Sequence, residues 1–203
     1  MRRAFTDVLG RADMLDSFSF GGMTDQLIVR TAFERAAVTY EPMLRDKILE
    51  AYLAHLGDEL PKATGYVVMP GVVPLLDSLI TEPEYAIGLG TGNIEAGGRL
   101  KLGRADLNRY FPFGGFGSDA EDRAELLGHG AARGAAALGV PLGNCRVVVI
   151  GDTPRDVTAA HAIGAECVAV ATGGIGADIL AAAGAEVVVE DLTAPEARAA
   201  IVR

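Results

Sequence analysis

The residues whose types and spacing could do chemistry stand in two short segments, Gly88-Leu89-Gly90-Thr91-Gly92-Asn93 and Gly151-Asp152-Thr153-Pro154-Arg155-Asp156. In the second, Asp152 follows a wholly apolar run at one glycine's remove, where an unpaired carboxylate is costly to desolvate unless a cation or a cationic side chain meets it. Asp156 lies four residues on, in the first turn of the next helix, where the helix dipole favours it and it can face the same crevice. Two carboxylates converging there make an oxygen-ligand set suited to Mg²⁺. The plainer reading is that Asp152 only caps the helix that starts near Pro154. In the first segment Thr91 offers a hydroxyl, and the glycines around it bring backbone N–H groups close. These are the parts of an anion cradle, or of an ordinary glycine-rich turn. A third polar, glycine-bearing stretch is Thr172-Gly173-Gly174.

The elements that must position these residues change character along the chain. Residues 2–62 read as helical, in three periodic stretches: Arg3–Leu9, Thr24–Ala37 and Met43–Leu60. Leu27, Ile28, Ala32 and Phe33 build one apolar face of the second, which Thr24 or Asp25 can cap. Leu44, Ile48, Tyr52, Leu53 and Leu56 repeat the pattern in the third, with Gly57 a candidate end. The glycine-bearing segment 17–25 joins the first two. From residue 70 onward, short β-branched runs alternate with Ala- and Leu-rich helices. The expected strands are Tyr85–Leu89, Arg146–Ile150, Cys167–Ala171 and Glu186–Val189. The expected helices are Val72–Ile80, Glu95–Leu102, Arg123–Leu138, Arg155–Ile163 and Ala177–Ala183. Such alternation predicts an α/β, doubly wound parallel sheet, and the unbroken apolar runs predict strands covered by helices on both faces. The division falls near Lys62–Pro70: a helical unit of residues 1–65, then a Rossmann-like core of residues 66–203. In such a sheet, ligands bind beyond the carboxyl ends of the strands, where both segments stand.

Composition narrows the partners. The chain has 203 residues, 18 basic and 27 acidic, for a net charge of −9. That balance argues against a nucleic acid or an anionic membrane as partner. Two cysteines, Cys145 and Cys167, are too few for a disulfide-stapled fold. No apolar run approaches the ~20 residues of a membrane span, and the first residues lack the apolar stretch of a signal peptide. A cytoplasmic protein is the expectation. His55, His129 and His161 lie within expected helices and at no motif.

Together the two segments resemble the haloacid dehalogenase-like hydrolases, mostly Mg²⁺-dependent phosphatases with a helical cap. Gly88–Asn93 resembles the family's second motif. The resemblance implies that Thr91 is the phosphate-binding hydroxyl, with Gly92 toward substrate and Asn93 in the catalytic group. Residues 147–157 resemble the fourth motif, which places Asp152 and Asp156 on the metal side. Arg123 resembles the third motif in its arginine form, with Lys101 a second candidate. The helices of residues 2–62 resemble the cap, and Phe20-Gly21-Gly22-Met23-Thr24-Asp25 its substrate-facing loop, with Thr24 and Asp25 as substrate-side candidates. The likeness covers essentially the whole chain.

One part of the pattern is absent. The family's first motif is an apolar strand ending in Asp-x-Asp, whose first carboxylate is the nucleophile and whose second is the general acid/base. None of the 14 aspartates here stands in Asp-x-Asp. The first strand and its loop are therefore expected to be lacking as a block, which would open two apolar strand edges, at Tyr85–Leu89 and Arg146–Ile150. Either those strands pair directly, or a second chain covers them, which makes a homodimer the expected assembly. The implied activity is Mg²⁺-dependent phosphomonoester hydrolysis without the usual aspartate, through a metal-activated water or through Asp152, Asp156, Asp7 or Asp25. The alternatives are an inactive protein that binds a phosphorylated ligand, and a truncated fragment.

Overall fold

The computed structural model describes residues 1–16 and 18–202. Ser17, which begins the expected 17–25 loop, lies outside the described residues. The N-terminal part consists of α1 (Arg2–Leu9), α2 (Asp25–Arg35) and α3 (Pro42–Glu59). Thr24 is the N-cap of α2, its hydroxyl accepting from the Leu27 N–H at 3.2 Å. Pro42 opens α3, where the missing N–H costs nothing. Gly57 does not end α3, since the apolar period carries the helix on to Glu59. These helices share one core, built on Phe5, Val29, Phe33 and Ile48, all inaccessible to solvent. Phe33 stacks edge-on against Tyr40 with centroids 5.7 Å apart.

The remainder runs α4 (Val72–Leu79), β1 (Gly88–Thr91), α5 (Glu95–Gly103), β2 (Phe113–Phe116), α6 (Arg123–Leu138), β3 (Val148–Gly151), α7 (Pro154–Ala162), β4 (Glu166–Val170), α8 (Ala177–Ala182), β5 (Val187–Val189) and α9 (Pro195–Ile201). Every strand pairing is parallel, as the strand–helix alternation requires. On one face of β4, Val168 packs with Leu75 and Leu79 of α4 and with Ile201 of α9. On the other, Cys167 packs with Val157 and Ala160 of α7. β4 is thus covered on both sides.

Two strand assignments shift. Tyr85–Ile87 carries no ladder, and β1 begins at Gly88, opposite Phe113. One residue earlier the partner is Pro112, which has no N–H to donate. β2 has the sequence Phe-Gly-Gly-Phe, too poor in β-formers to predict as a strand. Its glycines are needed for packing: a Cβ on Gly114 would stand 2.5 Å from the Leu89 oxygen, and one on Gly115 1.8 Å from the Leu126 oxygen of α6.

The strands form two separate sheets, β1-β2 and β3-β4-β5. Direct pairing of the β1 and β3 segments, one of the two expected repairs, is therefore not what the chain adopts.

Candidate active site

The candidate residues fall into two groups at the carboxyl ends of β1 and β3. The first joins the helical N-terminal part to the loop after β1. The Asp25 N–H donates to the Gly92 carbonyl at 2.7 Å. The Asp25 carboxylate accepts from the Ile94 N–H at 2.9 Å and from the Asn93 amide at 3.2 Å. Lys101 Nζ donates to the Asn93 side-chain oxygen at 2.9 Å, which fixes which end of that amide faces Asp25. Asp25 is only 4% exposed, and burial pushes its carboxyl above the ordinary value, with the Ile94 and Asn93 donors pulling the other way. Burial also lowers the Lys101 ammonium, against the pull of Asp25. The Thr24 hydroxyl donates to the Glu121 carbonyl at 2.9 Å, and Gln26 to the Gly117 carbonyl at 2.6 Å. These contacts fit only because two glycines let backbones meet. A Cβ on Gly92 would lie 2.6 Å from the Met23 oxygen, and one on Gly117 2.0 Å from the Gly92 oxygen. The Thr91 hydroxyl accepts from the Asn93 N–H at 3.2 Å, turning back into the loop that the glycines shape.

The second group centres on Asp156, 2% exposed. Its Oδ1 accepts from Arg123 Nε at 2.7 Å, and Arg123 Nη2 lies 2.5 Å from the same oxygen. Its Oδ2 accepts from the Asp152 N–H at 3.2 Å, the Thr153 N–H at 3.0 Å and the Thr153 hydroxyl at 2.8 Å. With Thr153 as N-cap this is a capping box. The cap of α7 is thus Thr153, and the plainer reading of Asp152 as the cap is corrected. Asp156, expected on the metal side, has both its oxygens engaged, and its geometry is that of a clamp between Arg123 and the loop after β3.

Asp152 is the carboxylate left over. No side chain of the described residues donates to it. Burial and the neighbouring Asp156 charge raise its carboxyl above the ordinary value, with its own N–H and Arg123 opposing. Its carboxylate lies against Gly173, where a Cβ would come within 1.9 Å of Asp152 Oδ2. Gly173 belongs to the third glycine-bearing stretch, so the loop after β4 shapes this group too. Among the described residues no set of three metal-type side chains converges. Asp152 fits a hard cation that completes its shell with water and a ligand's phosphate oxygens, which is how Mg²⁺ is commonly held; Asp156 does not fit as a second ligand.

The structure thus gathers Thr24, Asp25, Gly92 and Asn93 around one loop, and Arg123, Asp152 and Asp156 around another. No hydrogen bond or ion pair of the described residues joins Thr91 or Asn93 to the second group. Arg123 opens α6 directly after Asp122, whose side chain caps that helix, and Glu121 just before it meets Thr24. That segment is the bridge between the groups. Gln26 and Gly117 are the positions that sequence reasoning missed as part of the site, whereas Gly173 stands in the third glycine-bearing stretch already singled out. For Gly117 the available signal was a glycine directly after β2, as Gly92 stands directly after β1. Asp7 lies apart, hydrogen bonded to His55 at 2.6 Å on the helical part.

A family of HAD-hydrolase-like proteins matches residues 129–195, and that stretch includes β3, Asp152, Asp156 and Gly173. No curated protein matches the chain. Among solved structures, a hydrolase from Pseudomonas syringae shares 21% identity with a TM-score of 0.62, covering 94% of this chain and 86% of that one. A predicted phosphatase from Clostridium acetobutylicum shares 16% with a TM-score of 0.63, covering 99% and 89%. A haloacid dehalogenase-like protein of unknown function from Agrobacterium tumefaciens str. C58 shares 22% with a TM-score of 0.51, covering 100% and 89%. At these identities the likeness is one of fold, and the fold is haloacid dehalogenase-like. No helix of the described residues is long and apolar enough to cross a membrane.

Proposed function

We propose that this chain, haloacid dehalogenase-like in fold and over residues 129–195 in sequence, hydrolyses small phosphomonoesters, with residues 1–65 acting as a cap over the site. The observation that carries the reading is Asp152. It is a half-buried carboxylate with no donor from a side chain of the described residues, beside an arginine already oriented by a buried partner, at the carboxyl ends of parallel strands. In this reading the Thr91 hydroxyl and the N–H groups of its glycine loop receive the phosphoryl oxygens. Arg123 is held by Asp156 and faces the charge that spreads over those oxygens during transfer. Asp152 would hold Mg²⁺, which when bound supplies charge neutralisation at the phosphoryl group. Water attacks phosphorus, the P–O bond to the alcohol breaks, and the water's proton leaves with the alcohol. Thr24 and Asp25 bring the cap against the phosphate loop and so shape the entrance for the rest of the substrate.

The test is hydrolysis of an aryl phosphate by the purified chain, with Mg²⁺ and with chelator. Asp152→Asn and chelation should each abolish turnover. Thr91→Ala should lower kcat about 10²-fold, the size of losing one oriented donor. Turnover unchanged by Asp152→Asn would refute the reading. The lack of an Asp-x-Asp pair among the 14 aspartates favours a second reading, a protein that binds a phosphorylated ligand without turning it over. No turnover together with saturable binding of an unhydrolysed aryl phosphonate, abolished by Thr91→Ala, would select it.

A further inference from the structure

Residues 21–23 of the helical N-terminal part touch both groups of the site. A Cβ on Gly22 would lie 3.0 Å from Arg155 Cδ and 3.5 Å from Thr153 Oγ1, at the loop after β3. The Met23 oxygen, one residue on, stands 2.6 Å from where a Cβ on Gly92 would be, at the loop after β1. Three residues of chain span at most about 10 Å. The loops of Thr91 and Asp152 therefore border a space that one small molecule can reach across, and residues 21–23 run from one loop to the other. Arg155 is fixed at this crossing. It is exposed, and its Nη1 donates to the Gly21 carbonyl at 2.7 Å. The other edge of the guanidinium, the fork of Nε and Nη2, has no partner among the described residues. Elsewhere in the chain that fork takes a carboxylate: Arg30 on Glu121 at 2.6 and 2.8 Å, and Arg146 on Glu166 at 2.7 Å for both bonds. Two parallel charge-assisted hydrogen bonds of this kind read a planar carboxylate by its shape.

We infer that Arg155 is a specificity residue, whose open fork binds a carboxylate on the alcohol part of the phosphomonoester, so that the substrate is a phosphorylated carboxylic acid. The inference rests on the reading of Thr91 and Asp152 as the phosphate site. The Gly21 carbonyl already holds one edge of the guanidinium, so the fork is oriented before the ligand arrives and loses less freedom on binding. Neither neighbouring carboxylate fills it. Asp156 spends both oxygens on Arg123 and the loop after β3, and Asp152 makes no ion pair with Arg155 among the described residues. The chain carries a net charge of −9, which disfavours an added negative charge in general. A preference for the carboxylate therefore has to come from a local cation at the right distance from the phosphate.

The experiment is calorimetric titration of the whole chain with para-(phosphonomethyl)benzoate and with its carboxamide analogue, neither of which can be hydrolysed. The expected result is tighter binding of the carboxylate by about fivefold or more, the size of one partly solvated charge pair. Arg155→Gln keeps an amide donor for the Gly21 carbonyl and removes the charge, and should erase the difference between the two ligands. Arg198→Gln removes the same charge from α9 and should leave the difference in place. Equal binding of the two ligands by the wild type overturns the inference, as does a preference that survives Arg155→Gln or that Arg198→Gln also erases. Arg155 is then only a tie for the loop. Binding of neither ligand overturns it as well. Turnover of an aryl phosphate is read separately: a carboxylate preference without turnover removes the phosphatase reading and keeps this inference, and turnover without the preference does the reverse.

Discussion

Replacing Asp156 by alanine is the sharpest perturbation of the site, because one buried carboxylate serves four partners. The Asp156 side chain is 3% exposed and that of Arg123 21%. Alanine leaves the guanidinium short of its counter-charge in a setting only partly reached by water, and strands the N–H groups of Asp152 and Thr153. Removing one partner of a buried pair costs about 3–5 kcal/mol, most of it the penalty of the charge left behind. At about 2–4 °C per kcal/mol for a chain of this size, the melting temperature should fall by roughly 6–20 °C. Asp156→Asn keeps the shape and one acceptor, and should cost about 1–3 kcal/mol. Because the penalty lies in the orphaned arginine, Asp156→Ala made in an Arg123→Leu background should cost less than in the wild type, by about 1–3 kcal/mol of coupling. Urea unfolding of the four proteins closes this cycle. A cost below about 1 kcal/mol for Asp156→Ala, or an equal cost in both backgrounds, would refute the assignment of Asp156 as a clamp.

Two further outcomes follow from the cap-facing loop. Gly117→Ala forces a Cβ toward the Gly92 carbonyl, which is backbone and can yield only by moving the loop; it should destabilise by about 1–3 kcal/mol in urea titration. Asp25 has a folded-state value raised above 3.8 by burial. The folded chain therefore holds a proton that the unfolded chain releases, and stability falls as pH climbs from 3.8 through the raised value. Asp25→Asn removes that slope, so its stability relative to the wild type should rise with pH across the window; a flat or falling difference would contradict it.

The helices were legible because apolar spacing and capping residues agree: Thr24, Pro42 and Pro154 stand where helices begin. β2 was not, since the close packing of α6 demands glycines at Gly114 and Gly115, the residues that argue against a strand. The site was legible by residue type but not by role. Asp152 and Asp156 look alike in sequence, yet a capping box and an arginine consume one and leave the other. The Thr153-x-x-Asp156 capping-box spacing is a local sign of the difference, but the arginine is not, because Arg123 lies 33 residues away. The same holds for Asp25, whose partners Asn93 and Ile94 come from another element altogether.

The helical N-terminal part is fastened to the loop after β1, and in the proposed reading of cap and phosphate loop this bears on how anything enters. Hydrogen bonds that cross the seam include Asp25 N–H to Gly92, Ile94 N–H to Asp25, Thr24 to Glu121 and Gln26 to Gly117, and beside them stand Asn93 to Asp25, Arg30 to the Glu121 carboxylate and Arg155 to the Gly21 carbonyl. At about 0.5–1.5 kcal/mol net apiece, the first four alone make swinging the helices outward cost roughly 2–6 kcal/mol. The open form is then a minor species, on the order of one molecule in thirty or fewer. Opening also strips the loop of its restraints, so in the proposed reading admission and disorder of the anion cradle are a single event. Traffic through the mouth is then gated by a rare, two-state excursion rather than by free hinge motion, and amide exchange at Ile94 would report its frequency.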